Sequence, residues 1–392
     1  MTTKTKTNIF QEYQTQYFRA DKWQKGEILN HVCFVTKMHK KAAIHKFGTI
    51  QKKDPWKQQR EQRGKKLFYA PDVTTALKEV WSAGNEVCGE LLHPMIHEYV
   101  EILNRDKMWH HHDETTDKLL GMSQATVKRR VGTFMKARRR KKGLTVTRPS
   151  HLKRIVPIFT GPWHDKPPGW GQIDTVLHSN SSSGDAVYTL NYTDAATLLV
   201  VPRAQWNKGQ EATQKSMKQI KSIMPFPWLG AHPDTGSEFI NHFVVNWCKT
   251  EKIDFSRSRP NRKNDNMYVE ERNGHVIRKT VGYITLNCFE AVDALNGLYD
   301  LLTPYLMHFV AVRRMIEKEK FGSRYRRVYE KMAKTPYQRI LEHPEVDAEI
   351  KEKLRDEHAK LNPLILKREI DKRIRNVYDV QKRCGKSQKD LS

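Results

Sequence analysis

Three carboxylates stand where an acid is costly or conspicuous. Asp174 interrupts the apolar run GWGQIDTVLH (169–178), Asp234 closes FPWLGAHPD, and Glu270 lies in NRKNDNMYVEERNGHVIRKT, whose second half reads as a helix. An acid inside an apolar strand is expensive to desolvate and needs a compensating partner, and Asp174 has none nearby in sequence. Three carboxylates brought together repel unless a divalent cation neutralises them, and an all-oxygen donor set suits magnesium, with manganese as a substitute. Two such ions clamp the attacking and leaving oxygens of an in-line phosphoryl displacement. In that geometry Asp174 is the bridging ligand, Asp234 serves one ion and Glu270 the other. Asp234 also reads as the cap of a following helix, and the two roles are compatible. Spacing adds little, because thirty-five residues separate Asp234 from Glu270 and the chain carries 44 acids in 392 positions. Glu238, Asp265 and Glu271 read as solvated helix faces or caps.

The elements that must hold these acids follow from periodicity. Three strands, GWGQIDTVLH, AVYTLNYTDA and TLLVVPRAQ, form an antiparallel meander broken by the loop SNSSSGD (179–185). A helix is expected over 208–223, then a short strand ending at Asp234. Phe239, Phe243 and Trp247 recur every four residues and predict one inward-packed helix. Strands first and mixed elements afterwards give an α/β layer structure.

Composition sets the partner. Lysine and arginine number 70 against 44 acids, a formal charge of +26, which implies an anionic partner, with nucleic acid the usual one. Hydrophobic residues make up 38%, enough for real cores. The five cysteines (Cys33, Cys88, Cys248, Cys288, Cys384) are scattered and odd in number, which fits free thiols in a reducing cytosol and no zinc site. No signal core or membrane-length apolar run is evident, so a soluble, cytoplasmic and nucleoid-associated protein is expected.

Ahead of the acids, residues 1–50 read as a helix-turn-helix domain, with Ile28 and Val32 one turn apart and HKKAAIHKF (39–47) as its second helix. Residues 51–66 read as a linker and 67–138 as a second such domain. There Gly121 makes a turn, Ser123 caps, and Val127, Val131 and Phe134 form a buried stripe, leaving Lys128, Arg129 and Arg130 to meet phosphates and base edges. A basic arm, 139–159, follows. Lys136–Arg154 holds nine basic residues and no acid, among them Arg138, Arg139, Arg140, Lys141 and Lys142. Beside the third acid, Arg262, Lys263, Arg272 and Arg278 are further candidate phosphate contacts. The histidines of WHHHD (109–113) lack partners at ligand spacing and read as a solvated loop.

The segments GQIDT, HPDTGSEF and KNDNMYVEERNGHVIRK resemble the three catalytic segments of the DDE transposase and retroviral-integrase superfamily, above all its bacterial insertion-sequence branch. The order of parts is similar too: two helical DNA-binding units, a basic arm, a core, then a tail containing TPYQRIL (335–341). The resemblance implies an RNase H-like core at 160–317, a five-stranded mixed sheet flanked by helices, with a C-terminal helical region over 318–392. It places the catalytic acids on Asp174, Asp234 and Glu270, preferring Glu270 to Glu271 because it follows Val269. Thr235 stands where the family often has asparagine, and Gly274 where retroviral relatives have lysine. In the tail, Val346, Ile350 and Leu354 mark one amphipathic helix and Leu366, Ile370, Ile374 and Val377 another, started by Pro363.

The resulting expectation is a transposase that cuts element ends and joins them to target DNA, working as a homo-oligomer because two ends need two active sites. An inert, transposase-derived DNA-binding regulator and a hydrolysis-only nuclease are the alternatives.

Overall fold

The structure is a computed structural model that describes residues 3–51, 68–136, 156–159, 161, 163, 165–179, 185–234, 236–259, 263–321 and 324–385. The chain divides into two compact units, Met1–Phe68 and Tyr69–Ser392, where sequence patterning alone draws six segments.

The first unit contains α1 (Thr3–Glu12), α2 (Gln14–Arg19), α3 (Lys22–Thr36) and α4 (Lys40–Gln51). Asp21 opens α3 with a capping box, its side chain accepting from Gln24 N at 2.8 Å, and Lys37 ends the helix in the left-handed conformation (φ 54°). Phe10, Leu29, Val32, Ala43 and Phe47 form the core, with Tyr17 stacked on Phe47 at a centroid distance of 4.0 Å.

The second unit begins with α5 (Pro71–Ala83), α6 (Gly89–Leu92), α7 (Ile96–Arg105), α8 (Asp113–Leu120) and α9 (Gln124–Lys136). A three-residue turn joins α8 to α9, and Ser123 Oγ accepts from Thr126 N at 3.4 Å. These helices do not form a body of their own. Leu77, Val80, Tyr99 and Leu103 share one apolar cluster with Leu295, Tyr299, Tyr305, Ile370 and Val377 from the C-terminal half. Two buried tyrosines tie the halves by hydrogen bond, Tyr305 to the Ala83 carbonyl at 2.6 Å and Tyr99 to that of Phe309. Five short helices cannot bury two apolar sides among themselves, so they take cover from the next layer.

The sheet comprises β1 (Trp170–Leu177), β2 (Val187–Asp194), β3 (Val200–Trp206), β4 (Gly230–Pro233) and β5 (Asp254–Phe255), in the order β3-β2-β1-β4-β5. β1, β2 and β3 are antiparallel, whereas β4 and β5 join parallel beyond β1. The sheet is therefore five-stranded and mixed, with helices on both faces. One face is covered by α10 (Gln210–Ile223) and α11 (His242–Thr250), which bury Met217, Ile220, Val244 and Trp247 against Ile173, Leu190 and Val201. α12 (Met267–Arg272) packs on β1 and β2, and its chain continues through a π-helical turn, Asn273–Arg278, into α13 (Lys279–Val281) and the long α14 (Glu290–Phe309), which packs on β3.

The expected Phe239/Phe243/Trp247 stripe is corrected. Asn241 caps α11, accepting from Val244 N at 3.0 Å, so Phe239 lies in the turn before the helix and Phe243 is 48% exposed. The cap sets the helical phase, and a four-residue count begun before it cannot hold.

The region after 317 is also not wholly helical. β6 (Met315–Phe321) and β7 (Arg324–Tyr329) form a separate two-stranded antiparallel sheet before α15 (Pro336–Glu342), α16 (Ala348–Lys360) and α17 (Pro363–Cys384). The hairpin is so charged that no hydrophobic alternation announces it. α17 lies along α14, burying Leu364, Ile370 and Val377. Among the described residues no helix is long and apolar enough to cross a membrane, and all five cysteines are unpaired.

Candidate active site

Asp174 sits mid-strand in β1, opposite Asn191 of β2. The β1–β4 pairing ends with Ile173 against Pro233, so one further step of the parallel register sets Asp234 beside Asp174. Two acids far apart in sequence thus become lateral neighbours because the strands that carry them are adjacent and parallel. Asp174 is half-buried. Burial, followed by the charges of Asp234, Glu238 and Glu270, pushes its carboxyl up to about 8, against the opposing hydrogen bond from Thr175 N–H. The carboxyl is oriented at both oxygens: Oδ1 accepts from Thr175 N (2.8 Å) and Oδ2 from Asn273 Nδ2 (2.7 Å). Asn273 is itself held by Asn191 Nδ2 at 2.8 Å, and it opens the π-helical turn that follows Glu270. Such turns widen a helix by one residue and re-aim side chains, often at functional sites.

The structure adds Glu238, which sequence reasoning assigned to a solvated face or cap. It is only 7% exposed, and its Oε1 accepts from Thr175 Oγ1 and from Lys208 Nζ, both at 3.1 Å. Gly236 explains the fit. A Cβ there would stand 2.5 Å from Glu238 Oε2 and 2.8 Å from Asp234 Oδ1, so both carboxylates crowd the space above a residue that has no side chain. Gly236 N also donates to Asp234 Oδ1 at 2.7 Å. The signal for Glu238 was present in HPDTGSEF, four residues beyond Asp234, but exposure is not written in a motif. Asp265 requires the same correction, being buried and paired with Arg259 at 2.9 Å, which holds its carboxyl below the usual range.

Glu270 is on the exposed side of α12, and Glu271 is exposed beside it. What fixes α12 is Gln172, two residues before Asp174 on the same face of β1. Its buried Oε1 accepts from Tyr268 N (2.9 Å) and Val269 N (3.2 Å), while its Nε2 donates to the Asp265 carbonyl at 2.8 Å. One strand therefore carries Asp174 and caps the helix that carries Glu270. Gln172→Ala leaves three buried backbone groups without partners, so we expect a loss of about 2–4 kcal/mol. Denaturant unfolding checks this, and an unchanged midpoint would show that the cap does not hold α12.

The carboxylates fit a hard divalent cation in kind and in crowding: all the donors are oxygen, and a cation would relieve the repulsion that raises Asp174. As they stand, however, no group of three His, Cys, Asp or Glu among the described residues is close enough to hold a metal ion. Binding one would require Asp174, Asp234 and Glu238 to exchange hydrogen bonds they now make.

The expected DNA contacts divide three ways. Lys128 and Arg129 are exposed on α9, though Lys128 pairs with Glu90 at 2.6 Å. Arg130 is corrected, because it turns inward to donate to Thr74 Oγ1 (2.5 Å) and the Tyr69 carbonyl (3.1 Å) and lies over the Tyr69 ring. Arg272 is corrected as well: it is 7% exposed, its Nε has no hydrogen-bond partner, and burial lowers its pKa. Arg278 is half-buried over the Tyr283 ring, centroid distance 5.2 Å. A basic residue on a helix turns inward when its alkyl stem is needed to cover apolar surface. Arg138, Arg139, Arg140, Lys141, Lys142, Arg262 and Thr235 lie outside the described residues, as does the side chain of Lys263. In the WHHHD loop, Trp109 is buried and His111 pairs with Glu79 at 2.9 Å, so this loop is not merely solvated.

Comparison with known proteins gives two likenesses. The chain is 34% identical over 328 residues to the "Uncharacterized protein y4rM" of Sinorhizobium fredii (strain NBRC 101917 / NGR234), which covers 82% of this chain and 91% of that protein. Among solved structures it is similar to the catalytic core domain of BIV integrase, at 16% identity and a TM-score of 0.29, covering 43% of this chain and 91% of that one. No family model matches.

Proposed function

The chain belongs to the family of the Sinorhizobium fredii protein y4rM, and on the geometry of its acidic site we propose that it is a DNA transposase with an RNase H-like core. One observation carries the reading. Asp174, on a central strand, is crowded by burial and by Asp234, Glu238 and Glu270, an arrangement that destabilises an apoprotein and is useful to a phosphoryl transferase. Asp174, Asp234 and Glu270 would hold two magnesium ions, or manganese in their place, with Glu238 beside Asp234. Bound there, the ions would supply an activated water and neutralise charge on the attacked phosphate.

The chain's own groups prepare that site. Asn273 and Thr175 N–H fix Asp174, Thr175 Oγ1 and Lys208 hold Glu238, and Gln172 holds the helix of Glu270. Attack of water on the phosphodiester at an element end breaks the bond to the 3′-oxygen and frees a 3′-hydroxyl. That hydroxyl then attacks a target phosphodiester, forming one phosphorus–oxygen bond as another breaks, so no external energy source is needed. The pairs α3–α4 and α8–α9 act as helix-turn-helix readers of the element ends, with Lys128 and Arg129 on the exposed side of α9. Two ends at one target call for a homo-oligomer on DNA, acting at the nucleoid in the cytoplasm.

The test is a strand-transfer assay with the element's terminal oligonucleotides and a plasmid target, alongside thermal melts in magnesium and in EDTA. Joined product is expected, together with a magnesium-dependent rise in Tm of a few degrees, since an ion that binds only the native state stabilises it by mass action. The rise should vanish in Asp174→Asn/Asp234→Asn. Nicking without joining would reduce the reading to a nuclease, and binding without either would reduce it to a regulator.

A further inference from the structure

Lys208 brings a cation to the acidic cluster, and the turn that carries it is built to aim it. It stands between β3 and α10, directly after Asn207, which adopts the left-handed conformation (φ 58°). Asn207 is clamped at each of its polar groups. Its N–H donates to the Ala186 carbonyl and its Oδ1 accepts from Ala186 N, both at 3.0 Å. Its Nδ2 donates to Asp185 Oδ1 at 2.7 Å, and its own carbonyl accepts from Gln205 Nε2 at 2.9 Å. Asparagine tolerates positive φ better than most residues, so the residue type and its partners beside β2 fix the turn together.

From this turn the Lys208 side chain crosses to Glu238. Its Nζ donates to Oε1 at 3.1 Å and lies 5.4 Å from the centroid of the Tyr188 ring. The same oxygen accepts from Thr175 Oγ1, on the residue after Asp174. The other oxygen, Oε2, crowds the space at Gly236 that Asp234 Oδ1 also crowds. Glu238 therefore stands between an ammonium and an acid assigned to metal. Its side chain is 7% exposed, whereas that of Lys208 is 42% exposed and borders solvent.

From this placement we propose that Lys208 is a tethered competitor of the divalent ion: its ammonium and the ion contend for Glu238, and that contest sets the affinity for the ion. The inference rests on the transposase reading, which brings the ion to these acids. An ion among Asp174, Asp234 and Glu270 repels a neighbouring ammonium, and a carboxylate that holds the ammonium cannot turn to the ion. The acids thus carry their own counter-ion, which offsets their mutual repulsion and swings toward solvent when an ion takes Glu238.

The test reads metal binding apart from chemistry. Full-length protein is stripped with EDTA, desalted and titrated with Mn²⁺ in about 0.1 M KCl, the free ion being followed by electron paramagnetic resonance. Lys208→Met and Lys208→Gln should each tighten Mn²⁺ binding about tenfold, since each removes a unit charge close to a divalent ion. Lys208→Arg, which keeps the charge, should stay within about twofold of wild type. In a Glu238→Gln background the gain from Lys208→Met should shrink below about threefold, because the contested carboxylate is gone. Lys221→Met removes the same charge elsewhere on α10, where it pairs with Glu251, and should change affinity by less than about twofold. Unchanged or weaker binding in Lys208→Met overturns the inference, and so does an equal gain from Lys221→Met, which would mean that net charge alone matters. A gain of the same size that survives Glu238→Gln also overturns it, because the ammonium would then act on the ion without Glu238. Wild-type binding with no response to Lys208 leaves the transposase reading intact, whereas failure of every variant to bind Mn²⁺ sinks that reading and the inference with it.

Discussion

Asp174→Asn is expected to lower end cleavage and joining by about 10³-fold or more, roughly 4 kcal/mol of transition-state stabilisation, while DNA affinity stays within about twofold. The same substitution should stabilise the fold in EDTA. A carboxyl whose folded pKa is raised contributes stability fully present below its unfolded value of 3.8, and this is lost as pH rises through about 8. Wild-type protein therefore weakens across that window on account of this one group, and the asparagine variant does not. Allowing for partial exposure to water, the difference should reach about 1–2 kcal/mol near pH 8 and vanish near pH 4. Paired melts at the two pH values check the stability claim, and gel-based cleavage with anisotropy checks the other. A variant that loses stability at pH 8 would mean that Asp174 is a structural acid, satisfied where it lies.

Gly236→Ala should cost nearly as much without touching a carboxylate. The alanine methyl would meet Glu238 Oε2 and Asp234 Oδ1 at well under contact distance. Both side chains must swing away. A misplacement of about 1 Å at a reacting centre costs about 10²-fold, and we expect that loss in cleavage rate with stability changed by less than about 1 kcal/mol. Gly274→Ala is the matched control, because a Cβ there meets nothing within 4 Å. Equal activity in both variants would mean that the two carboxylates do not need their present positions.

The contrast between Asp174 and Glu238 shows which kind of signal a sequence carries. Asp174 is legible because its cost is local: an acid among Ile173, Val176 and Leu177 violates strand patterning wherever the strand ends up. Glu238 follows a glycine and a serine in a turn, where an acid is ordinary, and only Thr175 and Lys208 from other elements reveal that it is buried. Arg130 and Arg272 fail in the opposite sense. Both stand in runs that read as solvated cationic faces, yet one bonds the Tyr69 carbonyl and the other is buried. The hairpin at 315–329 was hidden because strand alternation in charge leaves no apolar signal.

The residues by themselves determined the strands of the meander, the helices of the tail, the basic excess and the three acids worth suspecting, because periodicity and the cost of a misplaced charge act over a few positions. The tertiary structure alone decided that β4 lies parallel to β1 and sets Asp234 beside Asp174, that Gly236 opens room for Glu238, and which arginines face inward. Burial and pairing depend on every element packed around a group, and that sum exists only once the chain has folded.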